Sequence, residues 1–392
     1  MFRKTAYIAY LAFIAFGIYE GILGVVWPAM SQDLGVPLES LGILLIVGLI
    51  GFVLVSFSSG WLIQRKSLYW LLIASLLLRL IGFGGAALSS TFELLVIFLF
   101  VASIGGGGLD SSMNGFFSSR GTAKQLNWMH ASFGIGATLG PFLVAGVQLL
   151  GGDWKWAFAV VAFIFGLQSI LVRLNPNVWE LEPAAPKNQP VPKKEAGLAS
   201  TIRLPVVWLG VLVFFLYTGT EISTAQWSFT LFTLSRGIPD LTASTWIGVY
   251  WGIFTLGRIL FGLIADKVRL DPVLRIALIL AALGALLLWW HPADWISFGG
   301  LALMGLAFAP IFPILIATTV NRVGRLHSSN TIGFQIAAAG FGGAVLTGLI
   351  GVFATATTLE NIGLSIFVLV GLNFVTYVWL ARTAAKQIAI SS

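Results

Sequence analysis

The stretch FTLGRILFGLIADK, Phe254 to Lys267, has a counterpart 202 residues earlier in FVLVSFSSGWLIQR, Phe52 to Arg65. Phe52 answers to Phe254, Ser56 to Arg258, Gly60 to Gly262 and Gln64 to Asp266. Each stretch closes a long apolar run and ends in polar and basic residues. Other pairs keep nearly the same offset. Glu20 and Trp27 answer to Glu221 and Trp227, and Phe133-Gly134 with Gly136-Ala137 answers to Phe341-Gly342-Gly343-Ala344. The chain therefore reads as one apolar helical unit written twice.

Composition fixes the solvent of those helices. Of 392 residues, 58% are apolar and 9% charged, whereas soluble domains carry roughly 25% charge. A soluble enzyme and a disordered chain are both excluded. The absence of cysteine removes disulfide scaffolds, zinc–thiolate sites and redox thiols. A bilayer-spanning helix needs about 20 mostly apolar residues. Twelve such runs stand out, at roughly 5–30, 38–63, 67–89, 92–119, 126–150, 155–174, 204–234, 241–265, 272–290, 295–320, 328–354 and 358–382. Their length and Gly/Pro punctuation exclude an outer-membrane barrel. The first run carries Glu20 and has no small-residue cleavage site, so it reads as a retained helix and not a signal peptide. The predicted fold is all-α and integral to the membrane, with two pseudo-symmetric six-helix bundles.

Loop charges orient the chain. With loops numbered alternately, 18 of the 22 Lys and Arg residues fall on the side of the N-terminus. Only Lys155 and Arg236 fall on the other, and Arg79 and Arg258 lie inside spans. Both termini are expected in the cytoplasm of a plasma or inner membrane. The net charge of +7 is thus a topology signal and not a nucleic-acid footprint. One polar segment, 175–203, with Pro176, Pro183, Pro186, Pro190 and Pro192 and with Lys187, Lys193 and Lys194, reads as a cytoplasmic linker without a fold of its own. It separates an N-terminal bundle, 1–174, from a C-terminal bundle, 204–392. Duplications of this kind recur in secondary transporters, with substrate held near the midplane at the repeat interface.

Five ionisable side chains lie well inside spans: Glu20, Arg79, Asp110, Glu221 and Arg258. An unpaired charge at mid-bilayer costs about 2.5–3.5 kcal/mol on insertion scales, so such residues face a cavity or a partner. Asp110 sits in GGGGLDSSMN, Gly105 to Asn114. Four consecutive glycines each cost roughly 1 kcal/mol against Ala in a helix, and in a membrane they permit close backbone contact or bending. Asp110 and Asn114 share a face at i, i+4. That face reads as a polar cavity wall, or alternatively as a helix contact glued by Asn114. Asn127, His130 and Gly134 share a face of the next span. His130 can carry a proton near neutral pH or serve as a hydrogen-bonded structural group. Arg79 is a candidate for an internal ion pair with an empty carboxylate.

GLIADK (262–267), preceded by Gly257-Arg258, resembles the cytoplasmic loop motif of the major facilitator superfamily. That resemblance implies a conformational gate built from Arg258, Gly262, Asp266 and Lys267, in which the glycine lets two helices approach. The first-half copy departs from it, with Gln64 in place of the Asp. GLDSSMN (108–114), followed by Leu126-Asn127, His130 and Phe133-Gly134, resembles the fucose:proton symporter family and its glucose-transporter-like relatives. The resemblance implies substrate binding and proton coupling by acids at Glu20 and Asp110, with asparagines at Asn114 and Asn127.

A sugar offers apolar C–H faces and a rim of hydroxyls. Trp227, Tyr250 and Trp251 supply aromatic platforms, while Glu20, Asn114, Asn127, Glu221, Gln226 and Gln335 supply a polar rim. Trp61, Trp154, Trp156, Trp208 and Trp295 read as interfacial belt residues. No phosphate-binding Gly-x-x-x-x-Gly-Lys-Ser/Thr loop is present, so ATP-driven transport is not expected. No cofactor, metal-ligand set or nucleic-acid partner is expected. The partners are a sugar-like solute, protons and lipid, and one chain makes a complete carrier. Sodium stays open as the coupling ion. A drug or metabolite exporter stays open on Gly136-x-x-x-Gly140-Pro141, as do a lipid flippase and a non-transporting sensor. No hydrolytic or group-transfer constellation is visible.

Overall fold

The computed structural model describes residues 2–120, 123–176, 179 and 197–391. Among them, twelve helical segments are long and apolar enough to cross a membrane, and there is no strand. They are α1 Phe2–Asp33, α2 Leu41–Lys66, α3 Leu68–Ala87, α4 Phe92–Arg120, α5 Ala123–Leu149 and α6 Trp154–Arg173. Then come α7 Pro205–Thr230, α8 Asp240–Ile264, α9 Leu270–Trp290, α10 in two pieces (Asp294–Phe308 and Ile311–Val323), α11 Arg325–Ala356 and α12 Asn361–Ser391. Starts follow local chemistry. The Asp153 carboxylate accepts from the Lys155 amide at 3.0 Å ahead of α6, and Pro205, with no N–H to lose, opens α7. The tenth span, expected unbroken, is interrupted at Ala309-Pro310, where proline removes a ladder donor. α7 ends in one π turn, Leu231–Ser235.

Two compact units form, Met1–Lys187 with Gly237–Gly252, and Asn188–Arg236 with Ile253–Ser392. In the first, α1 packs on α5 and α6, and α4 lies between α2 and α3. In the second, α7 packs on α11 and α12, and α9 packs on α10 and α12. The same device makes the leading contact in each. A Cβ at Gly17 would fall 1.9 Å from the Phe133 carbonyl oxygen, and one at Gly136 would fall 1.9 Å from that of Ile14. In the second unit a Cβ at Gly342 would fall 2.1 Å from the Phe215 carbonyl. Apolar faces gain nothing by leaving lipid for each other, so helices associate where backbones can touch.

Most of the linker, 177–178 and 180–196 with Lys187, Lys193 and Lys194, lies outside the described residues. Its described ends are ordered, against expectation. Trp179 is buried with its ring 5.9 Å from that of Phe116. Leu198–Thr201 forms a short helix, and the Thr201 hydroxyl lies 3.0 Å from His327 Nδ1. Trp154 is also corrected. It is buried, and its indole donates to Asp33 at 3.2 Å, whereas Trp61, Trp156, Trp208 and Trp295 are exposed as a belt requires.

A charge clip closes one end of the second unit. Arg236 follows the π turn and donates from Nη2 to Glu360 at 2.7 Å, to the Leu288 carbonyl at 2.8 Å, and from Nη1 to Ser297 at 2.9 Å. Partial burial pushes the Glu360 carboxyl up. The bonds and charge of Arg236, helped by Ser235 and His291, outweigh this and hold it below the usual carboxylate range.

Replacing Gly17, Gly136 or Gly342 by Leu must pry two backbones apart and should cost about 1–3 kcal/mol or more. Thermal unfolding in detergent checks this against Gly146→Leu, where nothing lies within 4 Å and no loss is expected. The clip has a pH signature. A carboxylate depressed on folding stabilises above its unfolded value of about 4.3 and loses that contribution as pH falls through the folded value. Glu360→Gln should therefore lower the unfolding temperature at pH 7, and its gap to wild type should close as pH drops toward 3.

Candidate functional site

In the first unit the glycine run of α4 is consumed by its neighbours. A Cβ at Gly105 would fall 2.4 Å from the Ser75 carbonyl of α3, and one at Gly107 2.2 Å from the Phe52 carbonyl of α2. At Gly106 it would meet Arg79 Nη1 at 2.4 Å. Glycine thus makes room for a guanidinium one turn before Asp110. Asp110 is held within its own helix, as Asn114 Nδ2 donates to its Oδ1 at 2.9 Å and to its carbonyl at 3.0 Å. The amide nitrogen thus fixes the carboxylate within α4.

Arg79 is 1% exposed. Its guanidinium carbon lies 4.4 Å from the ring centre of Phe16, 4.6 Å from Phe165 and 5.0 Å from Phe83. A desolvated cation–π contact is worth about 0.5–2 kcal/mol, so three together match the insertion cost of about 2.5–3.5 kcal/mol. Its Nε and Nη2 have no hydrogen-bond acceptor. The charged or titratable groups within its electrostatic reach are Tyr19 and Glu20 on α1 and Asp110 on α4. Glu20 and Asp110 thus lie in the field of one guanidinium, and Asn114 is tied to Asp110. Asn127 and His130 are exposed on α5, and the imidazole meets the Phe13 ring edge-on at 6.0 Å.

In the second unit Tyr217 and Glu221 share a face of α7 and sit side by side, and Arg258 is within electrostatic reach of the carboxylate. The Tyr217 hydroxyl donates to the Phe308 carbonyl at 2.9 Å. Gln226 is 1% exposed, with neither amide atom hydrogen-bonded. Trp227 is wholly buried and donates to the Thr347 carbonyl of α11 at 2.9 Å. Gln335 accepts from Thr319 at 2.9 Å, tying α11 to α10, and its amide nitrogen packs against Gly210 of α7. Both have packing partners. Arg258 lies with its guanidinium 4.4 Å from the Phe254 ring. Gly262 faces open space. The close approach is made at Gly257, where a Cβ would fall 2.9 Å from that of Ala309. Asp266 and Lys267 are exposed on one 3-10 turn. The sequence reading missed Tyr217 beside Glu221, a spacing it could have used, and the aromatic cage of Arg79, which looks like ordinary packing in an apolar run.

The Major Facilitator Superfamily profile matches residues 9–347. The chain belongs to this superfamily and is a multi-pass membrane transporter. The glucose/mannose transporter GlcP of Bacillus subtilis is 23% identical over 359 residues, which span 90% of this chain and 88% of that protein. The crystal structure of a D-xylose-proton symporter matches with a TM-score of 0.79 at 14% identity, over 95% of this chain and 96% of that one. FucP in its outward conformation matches with a TM-score of 0.64 at 18% identity, over 97% and 98%. The relatives by sequence thus include a sugar transporter, and the structures share the fold.

Because the chain has no cysteine, single introduced thiols report solvent access cleanly. Asn127→Cys and His130→Cys should react with a membrane-impermeant maleimide, and Gln335→Cys should not. Unreactive thiols at 127 and 130 would place that face of α5 against lipid.

Proposed function

We propose that this chain imports a sugar or similar polyhydroxylated solute together with protons, by alternating access. The observation that carries the reading is the Asp110 carboxylate, clamped by Asn114 at 2.9 Å on a glycine-rich helix one turn from a buried arginine. A carboxylate kept from bulk water is costly when ionised, and taking a proton removes that cost. If protonation and sugar binding favour each other, loaded and empty carriers reorient while half-loaded ones do not. Asp110 is the proton site and Glu20 holds a sugar hydroxyl. Asn114, Asn127 and His130 extend the polar rim of the first unit. Glu221, Gln226, Trp227 and Gln335 serve the second, where the unbonded amide of the buried Gln226 is the group best suited to a hydroxyl. The name of GlcP supports a hexose, and that of the xylose symporter supports the proton.

The working unit in this reading is a monomer in a plasma or inner membrane with both termini cytoplasmic. The segment 175–203 joins halves 1–174 and 204–392, and Arg258, Gly262, Asp266 and Lys267 form its cytoplasmic gate. Gly136 and Gly140 pack at the α1–α5 crossing, a use of their spacing that an importer and an exporter share.

The test is external pH in lightly buffered, de-energised cells producing the chain. Adding hexoses or 6-deoxyhexoses should alkalinise the medium. Asp110→Asn should abolish that signal and lower net uptake at least about tenfold, or ~1.4 kcal/mol, while sugar exchange across the membrane persists. Uptake driven by a sodium gradient without proton movement would replace the proton by sodium. Proton movement with amphipathic cations alone would replace the sugar.

A further inference from the structure

Three charges of the first unit are coupled at Arg79: Glu20 and Asp110, within its electrostatic reach, on one side of the balance, and Arg79 on the other. Two carboxylates and one guanidinium leave a single negative charge. One monovalent cation neutralises that set, and a second would leave it positive. Arg79 cannot leave this balance by deprotonation or by swinging into solvent. Guanidinium stays charged in proteins, and this one is 1% exposed between the faces of Phe16, Phe83 and Phe165. Its stem is also confined, since a Cβ at Gly105 would lie 2.9 Å from Arg79 Cγ.

Neither is Arg79 committed to one acid by a full set of bonds, since Nε and Nη2 have no acceptor. It acts through its field. Among the described residues, the charged and titratable groups that feel it come from two helices, Tyr19 and Glu20 on α1 and Asp110 on α4, while α6 presents the Phe165 ring.

We infer that Arg79 is a fixed internal cation that limits the Glu20–Asp110 pair to one exchangeable proton per transport cycle. The inference rests on the proton-coupled reading above. Arg79 is a positioning charge, touching neither sugar nor proton. A nearby cation disfavours protonation of a carboxylate. Without Arg79 the pair binds its first proton more tightly and has room for a second. Net uptake then stays active to higher external pH, and proton release inside becomes the slow step.

The structure supplies a variant that moves the charge without deleting it. At Gly106 an added methyl would meet Arg79 Nη1 at 2.4 Å, and the next contact is Phe16 at 3.6 Å. Nη1 is the far end of a flexible side chain. Gly106→Ala should therefore fold and push the guanidinium aside.

The experiment uses purified full-length protein in proteoliposomes with radiolabelled D-glucose or L-fucose, whichever the wild type accumulates. Protons and sugar are counted together across external pH. Wild type and Arg79→Lys should move one proton per sugar. Arg79→Gln should move toward two, with its uptake midpoint at higher pH and with exchange preserved while net uptake falls. Gly106→Ala should keep the ratio at one and shift the midpoint the same way. A folded Arg79→Gln protein with the wild-type ratio and midpoint overturns the inference. If Arg79→Gln does not fold, an unchanged midpoint in Gly106→Ala overturns it. Wild-type sugar uptake without protons removes the proton-coupled reading and this inference with it, whereas proton-coupled wild type with unmoved variants defeats the inference alone.

Discussion

Backbone touching backbone at glycine is the contact on which the two units depend. Lipid tails are as apolar as leucine, so no hydrophobic force drives one span against another. What remains is close packing and polar contact between helices, and the closest packing is available where no Cβ intervenes. Gly17 and Gly21 meet the carbonyls of Phe133 and Ala137, and Gly136 and Gly140 meet those of Ile14 and Ile18. Gly342 repeats the contact against Phe215 in the second unit. Each glycine weakens its own helix by about 1 kcal/mol relative to Ala, and the crossing offsets that cost. Glu20 sits between Gly17 and Gly21, and Glu221 lies two residues after Gly219. The helices that bring the acids are those whose positions the crossings set.

The same economy explains how an arginine can be buried in this fold. Four glycines in α4 admit α2, α3 and the Arg79 head together, and three aromatic faces replace the water that the guanidinium gave up. Asp110 follows Gly106 by one turn, so the surface that accepts the cation also aims the carboxylate. Asn114 then needs only helical geometry to hold it. A local repeat of small residues thereby sets the spacing of Arg79 and Asp110, drawn from two helices.

Some of this was legible in the order of residues and some was not. The Asp110–Asn114 pair follows from i, i+4 alone, and Tyr217 with Glu221 could have been found by the same rule. Twelve spans followed from length and apolarity. The broken α10 was written in Pro310, but a proline in an apolar run gives equal warning of a kink, a break or a tolerated bend. Trp154 looked like a belt residue because its partner, Asp33, is 121 residues away. Trp227 and Gln335 carry polar atoms in apolar runs, where such atoms demand partners. Only the fold shows that Thr347 and Thr319 meet that demand.

By itself the sequence determined the solvent, the number of spans, the duplication and the acids placed in the membrane. Each of these is a property of composition or of spacing along one helix, which the regular rise and turn of a helix convert directly into geometry. Tertiary structure alone decided which carboxylates share the field of Arg79, which glycines carry the crossings, that Arg236 finds Glu360, and that of the two motif glycines in α8 Gly257 and not Gly262 is closely packed. Those are pairings between helices. In a bilayer many alternative faces are equally apolar, and the mutual fit of small residues together with polar pairs such as Arg236 and Glu360 selects among them.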